Sequence, residues 1–120
     1  MKTRLLLMTL VCAVALPFAF AQDDAEKTLT GEPVDIACYL QGRSGEGHIA
    51  CAKSCADKGQ PIGLAVKEGD EVKLYLVLGA GGKAAKDIMG EHMGKQVKVT
   101  GKVSAKEGLM VIAAAAVEGA

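Results

Sequence analysis

From Leu5 to Phe20 the chain carries no charged side chain, and this apolar run decides how much of the sequence is left to fold. Lys2 and Arg4 precede it, Pro17 breaks it, and Ala19-Phe20-Ala21 closes it before the abruptly polar Gln22-Asp23-Asp24. A short positive start, an apolar stretch and small residues at a cleavage position make a secretory signal peptide. A membrane span needs roughly 20 apolar residues with a basic stop behind it, and this run meets neither condition. Cys12 would be a lipidation site only behind a small residue; Thr9-Leu10-Val11 offers none, so Cys12 reads as an apolar residue that is removed. Cleavage is expected after Ala21, giving a periplasmic or secreted protein. Residues 22–120 then do the folding.

That leaves one domain of modest size. Without Lys2 and Arg4 the 14 basic side chains of the chain fall to 12 against 14 acidic ones, a net charge of about −2. Such a balance carries no electrostatic footprint for nucleic acid and no attraction to anionic membranes. A domain this small buries only about two-thirds of its unfolded surface, which makes a covalent or metal staple valuable. There is no Trp, and outside the leader Tyr39 and Tyr75 are the only aromatics, so the core falls to Val, Leu, Ile, Ala and Met.

Residues 22–28 read as a polar, disordered lead-in. LTGEPVDIACYL (29–40) reads as a strand, with β-formers Val34, Ile36 and Tyr39 and with Pro33 near its start. QGRSGEG (41–47) is a loop, and HIACAKSCADK (48–58) a helix stopped by Gly59-Gln60-Pro61. IGLAV (62–66) and VKLYLVL (72–78) form a hairpin around Lys67-Glu68-Gly69-Asp70. After the glycine-rich break at 79–82, residues 83–93 suit a short helix with Ala84, Ile88 and Met89 inward, although Gly90 weakens it. KQVKVTGKV (95–103) alternates, putting Val97, Val99, Gly101 and Val103 on one face, and LMVIAAAAV (109–117) returns as the last strand.

Five short strands with a helix between the third and fourth, ending in V-x-V-x-G-x-V, a turn and an apolar return, resemble the small exported OB-fold-like domains of bacteria. The resemblance implies a mainly β, five-stranded Greek-key barrel over residues 29–120. Here a Cys/His-bearing helix is inserted between strands 1 and 2, a departure from the simplest OB plan, and a second short helix lies between strands 3 and 4. Fold leaves function open.

The chemistry concentrates in residues 38–55. On a helix, His48, Cys51 and Cys55 fall at about 0°, 300° and 340° and share a face. The nine residues between Cys38 and His48 can return that face over Cys38. Three sulfurs and an imidazole then converge as a closed tetrahedral site requires, so Cys38, His48, Cys51 and Cys55 are the candidate metal ligands. Thiolate and imidazole suit Zn or Cu, and spacing does not choose between them. The alternatives are a disulfide from Cys38 to Cys51 or Cys55 that leaves one spare thiol, buried thiols, or an intermolecular bridge. Three cysteines cannot all pair with one another, and an oxidising compartment leaves a lone thiol needing an explanation, which a metal supplies.

Other motifs carry less. Met89, His92 and Met93 have the softness for copper, but Met at helical spacing is a core signature, and His92 is expected to face solvent. Asp35 is a candidate acceptor for His48. Gly79-Ala80-Gly81-Gly82 has no following Lys-Ser/Thr pair and is no phosphate loop. Cys51 and Cys55 are one residue too far apart for a C-x-x-C dithiol, and no catalytic constellation stands out, so no enzymatic activity is expected. The implied partners are a metal ion and another envelope protein. The competing reading is a non-catalytic ligand- or protein-binding module stapled by one disulfide.

Overall fold

The computed structural model describes residues 25–120. The signal peptide, its cleavage position, Cys12 and the first residues of the expected lead-in lie outside the described residues. Within them the protein is mainly β. Strands β1 (Glu26–Asp35), β2 (Ile62–Glu68), β3 (Glu71–Gly79), β4 (Val97–Lys106) and β5 (Leu109–Gly119) make one sheet. Helices α1 (Ile36–Tyr39) and α2 (Ile49–Asp57) come between β1 and β2, and α3 (Ala85–Met89) between β3 and β4.

Hydrogen-bonded order in the sheet is β1-β2-β3-β5-β4, and it closes because β1 pairs with both β2 and β4. The long β1 divides that work: Glu26–Gly31 pair with β4, and Glu32–Asp35 with β2. All pairings are antiparallel except β3 with β5, which run parallel from Leu76–Val111 to Gly79–Ala114. The β4–β5 register shifts between Thr100 and Gly101, where an irregularity bends the hairpin. Gly101 is needed there. A Cβ at this position would meet the Ala113 carbonyl, with the carbonyl carbon at 2.8 Å and Ala114 Cα at 3.0 Å.

Inward residues of the strands meet in the core: Leu64 and Val66, Tyr75 and Val77, Val97 and Val99, Ile112 and Ala114, with Leu29 of β1 packed against them. Ala52 and Ala56 of α2 join them from one side, as do Met89 and Met93. The two methionines are 0% and 1% exposed, so they pack in the core. His92 is half-buried in a 3-10 turn (Gly90–His92), rather than facing solvent.

Two expectations at the start of the chain need correction. Strand β1 begins at Glu26, so the end of the expected disordered lead-in is ordered by pairing to Lys102, Gly101 and Thr100 of β4. The strand also stops earlier than the β-formers Ile36 and Tyr39 suggest. Asp35 stands at the N-cap of α1 with its Oδ1 accepting from the Cys38 N–H at 2.8 Å, and a satisfied cap outweighs the β preference of the next residues.

Helix α2 matches the expected segment closely, preceded by a 3-10 turn at Glu46–His48. It ends in a Schellman arrangement. Gly59 takes φ +85°, its N–H donates to Ala56 O at 2.9 Å, and the Gln60 N–H donates to Cys55 O at 3.0 Å. Packing of α2 against β1 sets this helix beside the turn that carries Cys38.

Candidate metal centre

Cys38 is the third residue of α1, and Cys51 and Cys55 lie one turn apart on α2. The loop between the two helices brings them together: the three Sγ atoms all lie within 4.8 Å of one another. Cys38 and Cys55 are half-buried, Cys51 is exposed, and none of them is paired in a disulfide. With metal–sulfur bonds of about 2.3 Å, three thiolates around one ion sit about 4 Å apart, so small side-chain rotations suffice to close the site.

Two of the thiols, Cys38 and Cys55, are biased toward their protonated state. The Cys38 thiol is pushed up from an ordinary 9.0 to about 12, chiefly by its hydrogen bond to the Asp35 carboxylate, with burial and the Asp35 charge adding to the effect. Burial first, then the charge of Asp35, pushes Cys55 up as well. Reactive redox cysteines sit in electropositive surroundings that favour thiolate, and here the nearest charge is negative. A cation placed among the sulfurs supplies the missing positive charge. The arrangement therefore suits metal ligation, and at Cys38 and Cys55 it opposes nucleophilic thiol chemistry.

His48 does not lie in the sulfur group. It precedes α2, and its Nε2 is buried without a hydrogen-bond partner. That imidazole lines a small cavity together with Asp35, whose Oδ2 is likewise buried and unpartnered. Asp35 itself is only 3% exposed. Thus the structure brings together the three cysteines and, separately, His48 with Asp35.

The part played by Asp35 exceeds what its place in an apparent strand suggested. One signal was available: an Asp three residues before Cys38, followed by six residues and then Gly-Arg-Ser-Gly, has the spacing of an N-cap whose side chain reaches the third helical N–H.

Compared with known proteins, the chain matches no family model, no curated protein and no solved structure. The site's own geometry therefore carries the functional argument. Among the described residues no helix is long and apolar enough to cross a membrane.

Proposed function

We propose that this is an exported metal-handling protein that holds one soft metal ion on the thiolates of Cys38, Cys51 and Cys55. The convergence of the three sulfurs within 4.8 Å carries this reading. Three thiolates with no imidazole among them form a soft, three-coordinate set, which favours Cu(I); Zn(II) binds the same sulfurs with a fourth ligand from outside. The exposed Cys51 leaves the ion reachable from solvent, as delivery to or from an envelope partner requires. In this reading the closed five-stranded sheet is an OB-like barrel used as a rigid scaffold, and no reaction is catalysed. The parallel β3–β5 pair and the β1–β4 closure support the OB-like assignment.

Metal analysis of the mature protein purified from the cell envelope tests the proposal. One equivalent of Cu or Zn is expected in the wild type, and loss of it in Cys51→Ser and Cys55→Ser. Absence of stoichiometric metal from the wild type, with one disulfide found by mass spectrometry, would overturn it.

A further inference from the structure

The two buried side-chain atoms without hydrogen-bond partners among the described residues, Asp35 Oδ2 and His48 Nε2, belong to residues that line the same cavity. Burying a polar atom without a partner is costly, and two such atoms on residues lining one space point to a shared ligand. The cavity volume is about 10 Å³. That is the space of one water molecule, too small for an anion or an organic group. Both residues also belong to the elements that carry the sulfurs. Asp35 caps α1 through the Cys38 N–H, and His48 stands at the N-terminus of α2, three residues before Cys51.

We infer that one buried water bridges Asp35 Oδ2 and His48 Nε2, and that this bridge clamps α1 to α2 so that Cys38 is positioned against Cys51 and Cys55. The water donates one hydrogen to the carboxylate and meets the imidazole nitrogen with its other hydrogen or a lone pair. His48 is then a positioning residue, acting on the sulfurs through Asp35 rather than as a ligand. The positioning role rests on the metal-binding reading; the water bridge does not.

A high-resolution crystal structure of the metal-free mature protein tests the bridge directly. Density for one water within hydrogen-bond distance of both atoms is expected. A dry cavity, or a direct Asp35–His48 contact, would overturn it. Hydrogen exchange gives a second metal-free reading: His48→Leu should speed exchange of the Cys38 amide, and His48→Gln, which keeps a polar end, should restore its protection. Equal exchange in wild type and His48→Leu counts against the clamp.

For the positioning role, Cu(I) affinity is measured by competition with a chromophoric chelator. His48→Leu should weaken binding by about 10- to 100-fold, the usual effect of losing a group that orients a ligand, and His48→Gln should recover most of it. Asp35→Asn keeps a good helix cap, so the variant folds, and the double variant Asp35→Asn/His48→Leu should bind within about twofold of the weaker single variant. Affinity unchanged in His48→Leu, or losses that simply multiply, would overturn the positioning role. A wild type that takes up no metal refutes the metal reading, while crystal density and amide exchange still decide the bridge.

Discussion

Replacing Asp35 by Asn should make Cys38 one of the more reactive thiols of the metal-free protein. Two of the causes that raise this thiol from 9.0 to about 12 are the hydrogen bond to the carboxylate and its negative charge, and Asn removes the charge and weakens the acceptor. Three decades separate those values, so at neutral pH the wild-type thiolate is about a thousandfold scarcer than for an ordinary cysteine. A thiolate loses nucleophilicity as its pKa falls, with a Brønsted slope of about 0.4–0.5, which returns roughly 15- to 30-fold of that gain. A complete reversal would thus speed alkylation by about 30- to 60-fold. Burial and the neighbouring thiols continue to act, so the expected rise is about 10- to 50-fold. Site-resolved alkylation with iodoacetamide at pH 8, read by peptide mass spectrometry, measures it. Cys55 serves as the internal control: burial is its first cause and the Asp35 charge only its second, so its rate should rise less. If Cys38 in a folded Asp35→Asn protein reacts within twofold of wild type, the carboxylate does not hold the thiol proton and the account of the site is wrong.

Gly101→Ala should destabilise the fold by about 1–3 kcal/mol, because the new Cβ is driven into the backbone of Ala113 and Ala114. At about 4–8 °C per kcal/mol for a domain of this size, thermal unfolding should show a fall of at least roughly 4 °C. Loading with metal at a hundred times its dissociation constant should add about 2.7 kcal/mol, raising Tm by roughly 10–20 °C, and a thiol-competitive chelator should reverse the shift. Glu68 is depressed below 4.5, first by its hydrogen bond from Lys73, so it stabilises the fold above pH 4.5 and that contribution is lost as pH falls through its folded value. Glu68→Gln should therefore flatten the acid limb of a stability–pH profile. The difference should shrink in high salt, because both partners of the pair are well exposed.

The order of elements was legible because two periodicities mark it without ambiguity. Alternation over Val97–Val103 puts Val97, Val99 and Gly101 inside, and the Ala-rich stretch after His48 is closed by Gly59 at the positive φ a helix stop uses. The helical face of Cys51 and Cys55 followed from spacing alone, and the loop does return them over Cys38. Sequence misjudged Asp35, where two local preferences compete. Ile36 and Tyr39 favour strand, while an Asp followed by a free third N–H favours a helix start, and hydrophobic patterning carries no information about which hydrogen bond forms. The same limit applies to His48. A helical wheel places it on the cysteine face, but the wheel holds only for residues inside the helix. His48 precedes α2 with φ −119° and ψ 4°, which turns its side chain off the helical path.

Asp35 gives the site a bias between two fates, oxidation and metal ligation. Disulfide formation begins with attack by a thiolate, and the carboxylate that caps α1 also keeps the Cys38 thiolate scarce. An oxidant that depends on thiolate therefore works slowly at Cys38. A soft cation acts differently, since it binds sulfur as the proton leaves, and three sulfurs within 4.8 Å share the gain. The negative charge that hinders ionisation in the metal-free protein becomes favourable once a positive ion sits beside it. The same carboxylate thus slows oxidation at Cys38 and favours ligation there. With three thiols and no disulfide among them, the raised Cys38 and Cys55 thiols tip the site toward a metal rather than an oxidant.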